Sequence, residues 1–532
     1  MKSPLPRRLP AALLGMIAIA VAVALVLVFS IAKDVQQINR QGDAALFEQL
    51  TENIHAGKGA VSNVFANTQN FIDKGYVANP TGELIGKDLE PPSVGERNML
   101  RFHAYYILFL IAPFLAFVQS SLLLTLAQSF CYFGLIVSVA ALAFRETRSL
   151  WAALLLSALV LVNSNWLGGL LGQFYPDRLF VLAGFLVCWL SWKRGFSLVL
   201  VLMALLTAAI NERAALIAGI AIIGCAMSRE EVSLTRIRTW PWKIMVLGGV
   251  MLAYAYLEKT YGLDNLYYGG GYLPKSPGEL VARLDNPDFQ RNLGIFFANN
   301  AILMLLALPV PRLALLSLLV MMPNLIGNIG GAEKTGWLTH YHSYYFPVLA
   351  FAATAGASRL YAIWQQKFQR QTGIANGLIS ILIGASALLL YKVILQYDDG
   401  LPLKQAIAAA QNNFSDWRYG RPTGYAIRSE AKSMFAAGAQ VQTTESGMAL
   451  LHDHVRISVF PVAAEQADAL FIPCDWLHQG PPGYTHPPAE FDHWLRLKGF
   501  DVSHANMLRA ISYCAVHRLR PEPRRGQSPV AG

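Results

Sequence analysis

Two acidic residues interrupt the most hydrophobic half of this chain: Asp177 in GQFYPDRLF and Glu212 in TAAINERAALIAG. An ionised carboxylate at the middle of a bilayer costs about 2.5–3.5 kcal/mol on insertion scales, so such groups usually lie at helix ends or line a watery cavity. A third acid, Asp43 in QGDAALFEQL, follows the first apolar run. One well-placed carboxylate can accept a proton from an acceptor hydroxyl, which is general base chemistry.

Each acid also has a purely structural interpretation. Asp43 could begin a solvated amphipathic helix, because the helix dipole favours an acid near the N-terminus. Asp177 follows a proline and could cap the next helix, and Arg178 could neutralise it locally. Glu212 and Arg213 could form an ion pair in a loop. The joint pattern favours a site, because separate elements bring all three acids to one predicted membrane face.

Histidines and cations are the candidate groups for holding a substrate. The segment TGWLTHYHSYYFP places histidines around a tyrosine before an apolar helix. We favour phosphate or hydroxyl hydrogen bonding over metal binding for these histidines, because no Cys- or carboxylate-rich motif accompanies them. An aromatic belt at the membrane interface explains the tyrosines equally well. Arginine suits a bidentate phosphate contact and lysine acts as a point charge. The substrate-binding candidates are Arg101, His103, Arg178, Arg213, Lys334, His340, Tyr341 and His342.

Composition limits the class of protein. The chain has 532 residues, of which 54% are hydrophobic and 14% charged, and its mean hydropathy is +0.38. This profile excludes a soluble enzyme and indicates a multi-pass membrane protein. The net charge of +10 is not arranged as a basic run interleaved with aromatics, so no nucleic-acid partner is expected. No nucleotide-binding glycine motif is present, so energy for chemistry would arrive in an activated lipid.

Positive charge in short connections predicts the membrane topology. A crossing helix needs about 20 mostly apolar residues. Residues 11–31 are expected to form a retained first helix that starts in the cytoplasm, followed by a first outer loop over residues 33–101. Residues 102–118 are expected to form one or two helices at the outer interface. The basic loops then alternate over about eleven crossings in total, which predicts a mainly α-helical fold.

The predicted domains follow from this topology. Residues 1–396 would form the membrane domain, and residues 397–532 a periplasmic domain with a disordered tail from about 520. Alternating helical runs and β-rich runs such as ALFIPCD favour a small α/β fold there. Cys474 and Cys514 could form a disulfide if this region faces an oxidising compartment, and the sequence leaves that pairing open.

Several motifs carry a resemblance to a known family. DAALFEQL, RFHAYYILFLIAPFLAFVQSSLLLTLAQSF, FYPDRLF, NERAAL and THYHSYYFPVLAFAA occur in this order. They resemble the bacterial membrane-protein family called domain of unknown function 2079, over most of residues 40–470. The chain departs from that family where FYPDR and NER replace its His-Pro-Glu-like and Lys-Glu-Asp-like elements, although an acid is kept at both places.

That family is in turn similar to the GT-C glycosyltransferases, which are membrane enzymes with an acid in the first outer loop and a second acid before an inward helix. The resemblance implies transfer of a sugar from a polyprenyl-phosphate carrier at the outer leaflet, with Asp43 as catalytic base and Asp177 as a second site acid. Asp177 and Glu212 would position sugar hydroxyls or a divalent cation, which is the cofactor alternative. The expected partners are the lipid-linked donor, membrane lipid, and a glycan, lipid or protein acceptor.

Two other functions compete with this interpretation. A transporter or flippase for a lipid-linked or anionic solute would place ionisable residues near mid-membrane and show an internal repeat, and no clear repeat is visible. A non-catalytic assembly component would use its outer tail to bind a partner. In every case the expected location is the bacterial inner membrane, with a cytoplasmic N-terminus and a periplasmic C-terminal domain.

Overall fold

The fold is taken from a computed structural model of the chain. It describes residues 21, 23–31, 42–64, 77–78, 84–85, 97–193, 195–233, 235–263, 276–326, 340–367, 372–396, 424–460, 466–480 and 488–519. Contacts group the chain into two units. Residues 1–34 and 100–412 form one, called here the helical unit, and residues 35–99 and 413–532 form the other, called the mixed unit.

The described elements are mainly helices, as the composition predicts. In chain order the α-helices are α1 Gly42–His55, α2 Ile107–Ile111, α3 Ser120–Thr147, α4 Leu150–Leu161, α5 Ser164–Leu171, α6 Phe180–Lys193, α7 Leu198–Ile210, α8 Glu212–Met227, α9 Trp242–Leu257, α10 Pro277–Leu284, α11 Pro287–Ala307, α12 Pro311–Ile326, α13 His342–Lys367, α14 Thr372–Gln396, α15 Gly424–Ser433, α16 Glu445–Leu451, α17 Cys474–Gln479 and α18 Pro488–Leu497. The strands are β1 Val61–Ser62, β2 Val77–Ala78, β3 Leu84–Ile85, β4 Arg97–Asn98, β5 Gln440–Thr443, β6 Arg456–Val459, β7 Ala469–Pro473, β8 Asn506–Leu508 and β9 Tyr513–His517.

Polar caps define where several helices of the helical unit begin. The side chains of Ser149, Asn163, Ser197 and Asn211 each accept a hydrogen bond from a backbone N–H in the first turn of α4, α5, α7 and α8. Such caps satisfy backbone donors that have no partner within the helix. The breaks between apolar runs are therefore encoded locally by short polar residues.

Few of these helices are long enough to cross a membrane alone. By length and composition, Ser120–Thr147 and His342–Gln366 qualify, and α4 with α5 would add a third span if the pair, bent by 63°, is counted as one. The other apolar segments of the described helices have 10–17 residues, as does Leu198–Ile210. At a rise of about 1.5 Å per residue, that helix covers roughly 20 Å of an apolar layer about 30 Å thick. The predicted eleven crossings are therefore not confirmed.

The segment predicted to lie at the outer interface is short and irregular. Helix α2 has five residues and continues into a 3₁₀ helix over Ala112–Ala116. Its side chains divide between two environments: Ile107 and Leu108 are buried, whereas Phe114 and Phe117 are exposed. An element of this length is too short to cross an apolar layer of about 30 Å.

Basic residues of the helical unit meet at one end of the helices. Arg229, just after α8, donates from Nε to the carbonyl of Ser191 near the end of α6, at 2.9 Å. Arg312, at the start of α12, donates to the carbonyl of Val232 at 2.9 Å. Lys193 pairs with Glu146 at 3.0 Å. Asp177 and Glu212 stand at the opposite ends of α6 and α8, about 24 Å away along the 16 residues of α8.

The mixed unit contains a five-stranded sheet with the order β6-β5-β7-β9-β8. β5 is parallel to both β6 and β7, whereas β9 is antiparallel to β7 and β8. One face packs on a core that includes Leu470, Phe491 and Phe500, which are fully buried. Cys474 and Cys514 form a disulfide, with Cα atoms 4.9 Å apart, which resolves the pairing that the sequence left open.

Helix α1 belongs to this mixed unit, where it packs against α16. Glu48 of α1 is buried, and its Oε2 lies 3.5 Å from Nη1 of Arg428 and 3.4 Å from Nε2 of His452. The expected division at residue 396 placed the first outer loop with the membrane domain. In the structure, residues 35–99 group instead with the C-terminal region, because α1 buries apolar and charged side chains against it.

This grouping constrains the path of the chain. Because residues 35–99 and 413–532 group into one compact unit, we expect both segments to lie on one side of the membrane. Under that expectation the chain between them would cross an even number of times. The predicted eleven crossings, less the first helix, would give ten. A single additional crossing by residues 102–118 would make the number odd.

Labelling of introduced cysteines tests this sidedness. Three single variants are used: Lys58→Cys and Leu497→Cys at exposed positions of the mixed unit, and Arg238→Cys in an exposed connection at the basic end of the helical unit. In spheroplasts, an impermeant maleimide should label positions 58 and 497 equally, and position 238 only after permeabilisation. The natural free cysteines, Cys131, Cys188 and Cys225, are buried, so they provide a low background. Labelling of 58 and 497 from opposite sides would contradict the mixed unit.

Candidate active site

Two of the predicted acids meet the same short segment of the helical unit. Nδ1 of His103 lies 3.0 Å from Oε1 of Glu212, and the Ala104 N–H donates to Oε2 of Glu212 at 3.3 Å. The hydroxyl of Tyr105 donates to Oδ2 of Asp177 at 3.3 Å. Residues 103–105 therefore link Asp177 and Glu212, which the sequence predicted to lie at one face. We call these three residues the linking segment.

Asn211 joins the two acids from the other side. Its Oδ1 accepts the Ala214 N–H at 2.7 Å, which caps α8 and places Glu212 in the first helical turn. Its Nδ2 donates to Oδ1 of Asp177 and also contacts the hydroxyl of Tyr344 at 2.8 Å. Asn211, which caps α8, thus also donates a hydrogen bond to the carboxylate of Asp177, just before α6.

Asp177 is almost completely buried, with 1% of its surface exposed, and is surrounded by donors. The hydroxyl of Tyr344 and the amide of Asn211 donate to Oδ1, and Tyr105 donates to Oδ2. Nε2 of His340 lies 3.6 Å from Oδ2. A buried carboxylate needs such partners because its charge is costly without them. The arrangement holds Asp177 in one orientation.

His340 forms an aromatic wall beside Asp177. Its ring stacks on Tyr175, with centroids 4.0 Å apart and an interplanar angle of 21°, and contacts Tyr341 at 4.2 Å. Burial lowers the pKa of His340 to about 4, although the nearby Asp177 acts in the opposite direction. The imidazole is therefore neutral near pH 7 and can donate or accept a hydrogen bond there, as the predicted contact to a phosphate or hydroxyl requires.

Arg213 is the cation beside Glu212. Its Nε lies 3.9 Å from Oε1 of Glu212, and its guanidinium lies 5.5 Å from the ring centroid of Tyr341. The side chain keeps 22% of its surface exposed, whereas that of Glu212 keeps 5%. Arg213 therefore combines a positive charge with access, as a contact to an anionic head group needs.

Two other predicted binding residues point away from this cluster. Arg178 is buried and donates from Nη1 to the carbonyl of Gly169 at 2.6 Å, at the end of α5. A side chain at Gly172 would place its Cβ 2.2 Å from that Nη1, so the guanidinium requires glycine there. His342 is fully buried, and its Nε2 lies 2.8 Å from the hydroxyl of Tyr132. Both side chains point away from the cluster because neighbouring residues of a helical turn face different directions. Their contacts hold helices together.

The remaining predicted residues lie elsewhere. Arg101 is exposed at the end of the 3₁₀ helix Met99–Arg101. Lys334 lies outside the described residues. Asp43 occupies the first turn of α1 and belongs to the mixed unit, so its expected association with the other two acids stays a prediction.

Sequence reasoning missed four residues of this cluster: Tyr105, Tyr175, Asn211 and Tyr344. For Asn211 a signal was present, because Asn directly before a helical run is a preferred N-cap. The tyrosines carried no comparable signal, since an interfacial aromatic belt accounts for them equally well.

The cluster suits a polar, hydroxyl-rich ligand with a negative charge. Two carboxylates and one neutral histidine can hydrogen-bond hydroxyl groups, and Arg213 can pair with an anion. Within the described residues, no group of three or more His, Cys, Asp or Glu side chains could hold a metal ion.

Replacement of Arg178 tests its structural role. Arg178→Met should lower the thermal midpoint of the purified protein, because the buried carbonyl of Gly169 loses its charged donor and keeps only the amide of Gln128, and a hydrogen bond to a charged group contributes about 1.5–3 kcal/mol. Arg213→Met is the matched control and should lower it less, because Arg213 is more exposed and its ion pair is long. Equal effects of the two variants, measured in detergent, would contradict the assigned role.

The pKa of His340 predicts a pH effect on stability. It is lowered from 6.5 to about 4, so the folded chain binds fewer protons than the unfolded chain between these values. Stability should therefore decrease as the pH falls from about 6.5 towards 4. His340→Gln keeps a hydrogen-bonding side chain that does not titrate, so it should remove part of that decrease. Thermal midpoints from pH 7 to pH 4.5 check this, and parallel curves would contradict it.

Comparisons with known proteins leave the family open. No protein-family model matches the chain, and no curated protein matches it, so the resemblance to domain of unknown function 2079 stays an interpretation of the sequence. A crystal structure of ArnT from Cupriavidus metallidurans bound to undecaprenyl phosphate is similar, with a TM-score of 0.46, 11% identity, and coverage of 94% of this chain and 97% of that one. Its apo structure has a TM-score of 0.43 at 11% identity, with 95% and 98% covered. The arabinofuranosyltransferase AftD from Mycobacteria has a TM-score of 0.47 at 12% identity, with 94% of this chain and 40% of that one covered. Likenesses this distant assign no activity.

Proposed function

We propose that this protein is a GT-C-like glycosyltransferase of the bacterial inner membrane. It would move a sugar from a polyprenyl-phosphate carrier to an acceptor at the outer face. One observation carries the proposal: two buried carboxylates, delivered by the starts of two apolar helices, converge on the linking segment. The motif order that resembles the GT-C enzymes is the second support.

The charges of the cluster match the needs of such a transfer. The polyprenyl phosphate leaves as an anion that is already stabilised, so positioning and charge complementarity supply most of the catalysis. Asp177 and Glu212 would accept hydrogen bonds from sugar hydroxyls. Arg213 would pair with the phosphate, and the neutral His340 would hydrogen-bond it. The sequence resemblance alone implies Asp43 as catalytic base.

The distribution of charge along the helices supports a site at the outer face. The acids stand at the starts of α6 and α8, and Lys193 and Arg229 stand at the other ends. Because positive residues favour the cytoplasmic side, the acids would face the periplasm. The mixed unit, with its disulfide, would also be periplasmic, since disulfides persist in oxidising compartments.

Glycan profiling of variants tests the proposal. In a deletion strain complemented with Asp177→Asn, the surface glycan or glycolipid species lost on deletion should stay reduced by roughly 100-fold, as expected when one preorganised polar group is removed from a transfer site. Asp43→Asn tests the predicted base in the same assay. Mass spectrometry measures the species, and immunoblotting confirms normal protein levels.

Asp285→Asn is the matched control, because Asp285 is an exposed acid of the helical unit. It should restore the wild-type profile. An unchanged profile with Asp177→Asn at normal protein levels would remove the catalytic interpretation. Accumulation of an unmodified lipid-linked substrate on the cytoplasmic side would favour a flippase instead.

A further inference from the structure

We propose that His103 is the general base of this transfer and that Glu212 is its positioning residue. The inference rests on the proposed function and deepens it, because it assigns the proton acceptor to the linking segment. It differs from the sequence prediction, which gave that role to Asp43. Its basis is the geometry of the pair formed by His103 and Glu212.

The contact between the two side chains determines which nitrogen carries the proton. An ionised carboxylate only accepts hydrogen bonds, so Nδ1 of His103, at 3.0 Å from Oε1 of Glu212, must be the protonated nitrogen. In this tautomer, Nε2 carries the lone pair that can accept a proton. A carboxylate that orients a histidine in this way also stabilises the imidazolium formed when the histidine takes up a proton.

Glu212 is itself held in place by three features. Its other oxygen, Oε2, accepts the backbone N–H of Ala104 at 3.3 Å, so the residue next to His103 is bound to the same carboxylate. The cap formed by Asn211 places Glu212 in the first turn of α8. The guanidinium of Arg213 adds a positive charge 3.9 Å from Oε1. The imidazole is thus aligned by a carboxylate that has little freedom to move.

Aromatic contacts hold the ring of His103 in place, and part of its side chain stays exposed to solvent. Its centroid lies 4.7 Å from that of Phe102 and 5.1 Å from that of Tyr105. The side chain keeps 11% of its surface exposed, compared with 2% for Asp177. The side chain of His103 is therefore more accessible than that of Asp177.

Asp177 is better suited to holding than to proton transfer. Both of its oxygens already accept hydrogen bonds, from Tyr344 and Asn211 on one and from Tyr105 on the other. Three of its roughly four lone-pair positions are therefore occupied by these donors. Because Tyr105 lies two residues after His103, Asp177 also anchors the segment that presents the base.

The proposed step balances in atoms and charge. The acceptor hydroxyl gives its proton to Nε2 of His103 as its oxygen forms a bond to the anomeric carbon of the donor sugar. The bond between that carbon and the phosphate oxygen breaks, and its electron pair leaves with the polyprenyl phosphate. The imidazolium is then paired with Glu212, and Arg213 faces the departing anion.

Chemical rescue distinguishes a base from a structural histidine. Membranes from the complemented deletion strain hold the native donor and acceptor, so formation of the species lost on deletion can be followed by mass spectrometry. His103→Ala should reduce that formation by roughly 100- to 10,000-fold, the range for loss of a general base. Added imidazole should restore part of it in a dose-dependent way. His340→Ala is the matched control and should show no such rescue.

A second variant covers the case in which His103→Ala fails to fold. The amide of His103→Gln can still donate to Glu212 but cannot accept the proton, so this variant should keep the wild-type thermal midpoint and lose product formation. Glu212→Gln removes the charge but keeps an acceptor, and it should give a smaller loss than His103→Gln.

The outcomes separate this inference from the proposed function. Either of two results would show that His103 is not the base: His103→Gln retains product formation, or folded His103→Ala shows no rescue. If Asp177→Asn still abolishes product in that case, the transferase proposal stands. If Asp177→Asn also leaves product unchanged, the proposed function itself is refuted. Rescue by imidazole together with full activity of Asp43→Asn would assign the base to His103.

Discussion

The described part of the helical unit is organised around two buried carboxylates that must be compensated inside an apolar chain. A charge withdrawn from water is costly unless donors or opposite charges surround it. The partners of Asp177 and Glu212 come from the linking segment, from the cap of α8 and from the start of α13. Because these parts are remote in sequence, satisfying the acids draws the starts of α6, α8 and α13 to one place.

Acidic and basic side chains lie at opposite ends of the same helices. Acids, tyrosines and a neutral histidine lie near the starts of α6, α8 and α13, and Lys193, Arg229 and Arg312 lie together at the opposite ends of α6 and α8. Arg178 and His342 stabilise the helix packing near the acids, because their buried side chains hydrogen-bond with the carbonyl of Gly169 and the hydroxyl of Tyr132.

In the mixed unit, a charged contact joins two segments that are far apart in the sequence. Glu48 is buried against Arg428 and His452, which lie several hundred residues further along the chain. These contacts make α1 part of the C-terminal fold. The disulfide between Cys474 and Cys514 links β9 to the first residue of α17 within that fold.

Local pattern accounts for much of this protein. The apolar runs, the polar caps such as Asn211 and the placement of Asp177 and Glu212 at helix starts can be read from neighbouring residues, because helix formation and capping depend on residues a few positions apart. The number of crossings could not be read in this way, since several apolar helices are too short to be assigned as spans from length alone.

The sequence by itself determined the helical class, the helix starts and the presence of acids among apolar runs. Only the tertiary structure decided which side chains contact those acids. Asp177 and Arg178 are adjacent yet face different surroundings, and so do His340 and His342. Tyr105 and Tyr344 reach Asp177 across 72 and 167 residues. The physical reason is that a side chain's direction and its distant partners depend on how helices pack, which no local spacing encodes.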